Sequence, residues 1–107
     1  MNALARTDPL TMNTHASAWR IQHQAENQRF LVHVDGHDCV LDYQRNGAVI
    51  TITHTGVADA VAGQGIAAAL TRAALDWARR DQLKVVPQCS YAAVFIQRHP
   101  EYADLLH

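Results

Sequence analysis

Two dipeptides constrain this chain more than anything else in it: Asp35-Gly36 and Asn46-Gly47. Both are pairs that supply positive φ at little steric expense, which a two-residue turn between antiparallel strands demands. Around them lie short runs in which apolar and polar residues alternate, at 30–34, 39–43 and 48–55, and a further run at 19–23 precedes them. Alternation with period two is the signature of a strand with one face buried. The pattern predicts four consecutive antiparallel strands.

After Val57 the period changes. Ile66, Leu70, Ala73 and Trp77 recur at i, i+4, i+7 and i+11, one stripe of a helix over about 65–80. Arg72, Asp76, Arg79 and Arg80 fall mostly off that stripe as a solvated face, with Asp76 placed to pair with Arg72 and Arg80. Residues 83–87 read as a buried fifth strand. Ser90 is positioned to cap a second helix over 91–98, which Pro100 ends, and a short helical turn covers 102–106. The fold class is therefore α/β, a mostly antiparallel sheet of about five strands with two to three helices. Residues 1–18, rich in Thr, Asn, Ala and His and lacking an apolar period, read as a loose N-terminal extension, leaving 19–107 as one domain.

A chain of 107 residues has room for one core and one site. Nine basic against ten acidic residues, with no basic run, argue against a nucleic-acid partner. No apolar stretch approaches the roughly 18 residues of a membrane span, and no apolar block of a secretory signal opens the chain, so a cytoplasmic protein is expected. Cys39 and Cys89 do not form a disulfide framework, and reduced thiols follow. His33, His37 and Cys39 are close in sequence, but the Asp35-Gly36 turn divides them between two strands, and no metal site is expected.

The segment with chemistry is Gly63-Gln64-Gly65, where a loop enters the first helix. The first turn of a helix presents unpaired N–H groups and a positive dipole end, which suits an anion. Two glycines allow close approach of a bulky diphosphate, and Ala67 and Ala68 keep the first turn slim. The plain alternative is a tight helix–sheet contact. A dinucleotide turn would follow the first strand of a βαβ unit, and a kinase-type phosphate loop would place Lys and Ser/Thr where Ile66 and Ala67 stand.

Four ordered motifs together, His54-Thr55-Gly56-Val57, Gly63-Gln64-Gly65-Ile66-Ala67, Leu83 through Tyr91, and Arg98-His99-Pro100-Glu101-Tyr102, resemble the small single-domain branch of the GNAT N-acetyltransferase superfamily. The resemblance implies acetyl-CoA as cofactor and a primary amine, on a small molecule, peptide or protein, as acceptor. It also implies that the pyrophosphate lies on the Gln/Arg-x-x-Gly-x-Gly/Ala motif. Gly65, Ile66 and Ala67 match its last three places, while Ala62 stands where Gln or Arg is usual. The cofactor-binding set so implied is Thr55, Val57, Gly63, Gln64, Gly65, Ile66, Ala67 and Cys89. The resemblance further implies that the strands at 50–57 and 83–87 splay apart to admit the pantetheine arm, with the amine arriving from the opposite side.

Acetyl transfer to an amine needs a proton acceptor for the amine and a proton donor for the departing thiolate. The tyrosine usual in this superfamily is replaced by Ile96, and the strand at 50–55 has no carboxylate. Three other catalytic candidates remain. Cys89 ends a strand just before a helix start and could act as nucleophile or acid, or be a small core thiol. His54, on the strand flanking the thioester, has an imidazole suited to deprotonating an amine, or is a hydrogen-bonded strand histidine. Tyr91 could donate to the leaving sulfur, or pack. His99-Pro100-Glu101-Tyr102 reads as a helix stop followed by a docking aromatic. Besides the N-acetyltransferase, the departures leave a non-catalytic CoA or acyl-CoA binding module as the alternative, and then a small interaction protein that binds no CoA.

Overall fold

The alternating runs form one five-stranded sheet: β1 (Gln22–Gln24), β2 (Arg29–Val34), β3 (His37–Asn46), β4 (Val49–Gly56) and β5 (Lys84–Pro87), side by side in that order. A computed structural model describes residues 19–107; the extension expected over 1–18 lies outside the described residues. The first four strands pair antiparallel. β5 is parallel to β4, because helix α1 (Ile66–Arg80) carries the chain back across the sheet between them. Helix α2 (Ser90–Arg98) follows, then a 3-10 turn at Pro100–Leu105. This is the expected α/β architecture.

Both hairpins form, with different turn chemistry. Asp35 and Gly36 both take positive φ, 49° and 81°. In the second, Asn46 still pairs with Val49, so the loop is Gly47-Ala48 and only Gly47, at 64°, has positive φ. Glycine at the first central position supports that geometry by itself. The first strand is shorter and later than the 19–23 expected. It pairs only from Gln24↔Arg29 to Gln22↔Leu31, and Trp19 and Ile21 pack partly buried against the core instead.

One face of the sheet presents Phe30, Val32, Val34, Cys39, Leu41, Tyr43, Ile50, Ile52 and Val85, all buried. Against it α1 lays Ile66, Leu70, Ala74, Leu75 and Ala78. The buried face of α1 is wider than the predicted stripe: Ala73 is only half-buried, whereas Ala74, Leu75 and Ala78 are wholly buried. α1 meets strands β2 to β5, α2 and the C-terminal turn, and so is covered on more than one side. It ends with Gln82 at φ 58° and Leu83 N–H donating to Ala78 O at 2.8 Å, a left-handed stop without glycine.

Two expected contacts are corrected. The N-cap of α2 is Cys89, extended at φ −67° and ψ 130°, and Ser90 is already helical, so its hydroxyl closes no cap. Asp76 accepts a hydrogen bond from the Tyr102 hydroxyl at 2.8 Å, rather than pairing with Arg72 and Arg80. Arg72 turns to the Tyr102 oxygen and to Glu101. The reason lies in the chain's last turn, which docks Tyr102, 5% exposed, on the flank of α1.

Candidate active site

From Gly63 to Ala68 no main-chain N–H has a hydrogen-bond acceptor among the described residues; the first bonded one is Ala69 N–H, to Gly65 O at 3.0 Å. Gly63 and Gly65 both sit at φ 84°. A Cβ at either would meet open space, so the glycines are required by backbone conformation and not by crowding within the protein. Gly65 is the N-cap of α1 and carries no side chain to satisfy the first turn, which also lacks an acidic residue. Gln64 is exposed, Ala67 half-buried, and Ile66 is anchored in the core. The segment is thus a row of free donors at the positive end of a 15-residue helix, able to hold an anion by main chain alone.

At its β4–β5 edge the sheet divides. β4 and β5 pair from Val49↔Lys84 to Ile52↔Pro87, and the last link is Cys89 N–H to Ile52 O at 2.9 Å. Beyond it β4 continues to Gly56 on β3 alone, while the chain after β5 turns into α2. α2 therefore starts where β5 has parted from β4, and α1 starts at Ile66, after a 3-10 turn at Asp59–Val61 that follows β4.

A bulge sets which β4 side chains face this gap. Tyr43 pairs with Ile52 and Asp42 with His54, so Thr53 is an extra residue with no partner across the pair. Its hydroxyl donates to Asp42 O at 3.3 Å. The extra residue reverses the alternation: Ile50, Ile52 and then Thr55 face the helices, whereas His54 shares the opposite face with Asp42.

Thr55 therefore meets Cys89, with Oγ1 and Sγ 3.5 Å apart across the gap. Burial pushes the Cys89 thiol up, but the Thr55 hydroxyl and the backbone N–H groups of Ala92, Tyr91 and Thr55 outweigh it, and the net shift is down. The N–H groups of α2 act here by pull on the sulfur, without a closed cap. Cys39, by contrast, is wholly buried among apolar side chains; both cysteines are free.

The other candidates are placed as follows. His54 is exposed, with its ring folded over Gly56; a Cβ on Gly56 would lie 2.9 Å from Nε2. It thus stands on the far side of the sheet from Cys89. Val57 is half-buried where β4 ends. Tyr91 is 38% exposed, and its ring leans towards Phe95 with centroids 6.3 Å apart. Burial raises its phenol, and its hydroxyl has no hydrogen-bond partner among the described residues. Ile96 is 3% exposed, part of the core. The structure brings Cys89 and Thr55 together across the gap and sets His54 on the opposite face of the sheet. Thr53 escaped the sequence reading because Thr51, Thr53 and Thr55 suggest unbroken alternation.

A family model described as GCN5-related N-acetyl-transferase matches residues 29–105, from β2 through the last helical turn. The chain belongs to the GCN5-related N-acetyltransferase family. It is 32% identical over 100 residues to Protein NATD1 of Gallus gallus, covering 91% of each chain, and 36% identical over 84 residues to Protein NATD1 of Homo sapiens, covering 76% of this chain and 74% of the relative. The solution structure of a GCN5-like protein from Staphylococcus aureus superimposes with a TM-score of 0.66 at 27% identity, over 82% of this chain and 87% of that one. As a member of this family the chain has an acetyltransferase fold.

Proposed function

We propose that this chain is an acetyl-CoA-dependent N-acetyltransferase that acylates a primary amine. The observation that carries the reading is the row of N–H groups without protein acceptors from Gly63 to Ala68 at the start of α1, in a fold whose β4 and β5 part after Ile52 and Pro87. The residues fit the cofactor: amides at Gly63, Gln64, Gly65, Ile66 and Ala67 would take the pyrophosphate, and Thr55, Val57 and Cys89 would line the arm's path. Acetyl-CoA, when bound, supplies an activated acyl group on a good thiolate leaving group.

The chain's own residues then divide the work. Unpaired amides orient the donor by its phosphates, so that no lysine is needed at Ile66. Thr55 and the start of α2 favour the thiolate of Cys89, which faces the gap. His54, across the sheet, is the group available to take a proton from an amine arriving on that side. Tyr91 keeps its phenolic proton and can return one to the leaving sulfur. Direct attack by the amine on the thioester is the main route.

The geometry around Cys89 also favours a second route. In it the Cys89 thiolate bonds to the acetyl carbon as the thioester C–S bond breaks, and the departing CoA thiolate takes up a proton. The neutral amine then takes the acetyl group, giving up a proton as the Cys89 thiolate is released. Incubation with acetyl-CoA alone should add one acetyl group to Cys89 by mass spectrometry; equal acylation of Cys89→Ala would exclude this route.

The test of the main reading is thermal stabilisation by acetyl-CoA but not acetate, followed by release of CoA thiol against amines, peptides and protein N-termini. Saturation at one hundred times the dissociation constant should stabilise the fold by about 2.7 kcal/mol. Binding without amine-dependent release across that panel would favour the passive CoA-binding module, and absence of binding would defeat both.

A further inference from the structure

The motif His99-Pro100-Glu101-Tyr102 builds a clasp. The Tyr102 hydroxyl donates to Asp76 Oδ1 at 2.8 Å, and its oxygen accepts from Arg72 Nη1 at 3.4 Å. The Arg72 guanidinium lies 5.4 Å from the Phe95 ring centroid and 6.0 Å from that of Tyr102. On α2, Phe95 stacks on His99 with centroids 3.9 Å apart, and His99 Nδ1 lies 2.8 Å from Phe95 O. Arg79 holds the same segment through Asp104 and the Glu101 carbonyl, and Lys84 through the Asp104 carbonyl. α1 and α2 are thus tied together about two to three turns beyond the start of α1, through one buried phenol.

α2 has little else to fix its direction. It is nine residues long and buries only Ala92, Phe95 and Ile96. Its first end is held at Cys89, by N–H to Ile52 O and by the Sγ contact with Thr55, and no side chain caps it. Its other end is the clasp. We infer that Tyr102 is a positioning residue, which, gripped by Arg72 and Asp76 of α1, aims α2 so that its first N–H groups bear on the Cys89 sulfur.

The catalytic consequence rests on the proposed role of Cys89, but the positioning is read without acetyl-CoA. Alkylation of Cys89 by iodoacetamide is followed by mass spectrometry against pH in the full chain. Each rate is divided by its own high-pH plateau, which removes differences in access to the sulfur. Among the described residues no charged side chain is bonded to this thiol, which meets the Thr55 hydroxyl and sits at the N-cap of α2, so the profile reports those surroundings. Tyr102→Phe should lower the normalised rate at neutral pH by about threefold or more and move the midpoint up. Asp76→Asn keeps an acceptor for the phenol and should stay near the native profile. An unchanged profile in Tyr102→Phe, even with a lowered melting temperature, overturns the inference, as does an equal change in both variants. If Tyr102→Phe does not fold, Arg72→Gln is measured by the same criterion. Native alkylation is measurable whether or not transfer occurs, so failure here and failure of the transferase reading are separate results.

Discussion

At single residues, the glycines carry the sharpest expectations. Alanine at Gly65 would have to hold φ 84°, where the Cβ costs about 1–2 kcal/mol although no neighbour clashes with it. Relaxing that strain turns the amides out of line, so Gly65→Ala should weaken acetyl-CoA binding in calorimetry by about tenfold or more, an amount such strain can supply. Gln64→Ala, at an exposed side chain, should leave it within about twofold. Gln82 makes the converse case: Gln82→Gly relieves a left-handed residue at the end of α1 and should raise stability by about 0.5–1 kcal/mol in denaturant melts. The phosphate turn was legible because glycines advertise unusual backbone angles. The left-handed Gln28 and Gln82 were not, since glutamine has no such preference.

Among the elements, α2 shows chemistry displacing a better structural choice. Serine is a strong N-cap residue and cysteine is not, yet Cys89 holds the capping position and Ser90 stands one place too late. Cys89→Ser should therefore fold as well as the native chain or more stably, by up to about 1 kcal/mol, while losing alkylation and any acyl-Cys89. A destabilised Cys89→Ser would mean that the thiol is a packing residue. Helix existence was legible from period and from Pro100; the boundary slipped by one residue because a serine before an apolar run is a cap signal whether or not the chain uses it. Strand β4 hid more. The bulge at Thr53 depends on how β3 twists beneath it, so the meeting of Thr55 with Cys89 could not be read from alternation along one strand.

For the whole molecule, one core unites the sheet and both helices, and its centre is unforgiving. Leu75, with no exposed surface, should cost about 2–5 kcal/mol as Leu75→Ala, seen as a lowered denaturation midpoint. The core was legible in its strand faces, whereas the extra breadth of the α1 face goes with the packing of α1 against four strands, α2 and the C-terminal turn together, a long-range event. His23 is a source of acid sensitivity near neutral pH. His23 stacks on Phe30 at 4.1 Å between centroids and meets Tyr43 OH at 2.7 Å. Burial lowers its pKa, with Asp81 pulling up and Arg80 pushing down. The unfolded chain, with the ordinary value near 6.5, then takes the proton first as pH falls. The contribution is whole above that pH and fades below it, so the fall in thermal midpoint between about pH 7 and pH 5 should be shallower in His23→Gln than in the native chain.

The extra place taken by Thr53 also decides handedness of access. Were the kink to slide off the end of β4, each later residue would rotate to the other surface: imidazole would confront sulfur, and the threonine hydroxyl would look into water. A one-step slip, with no atom changed, would exchange donor side for acceptor side.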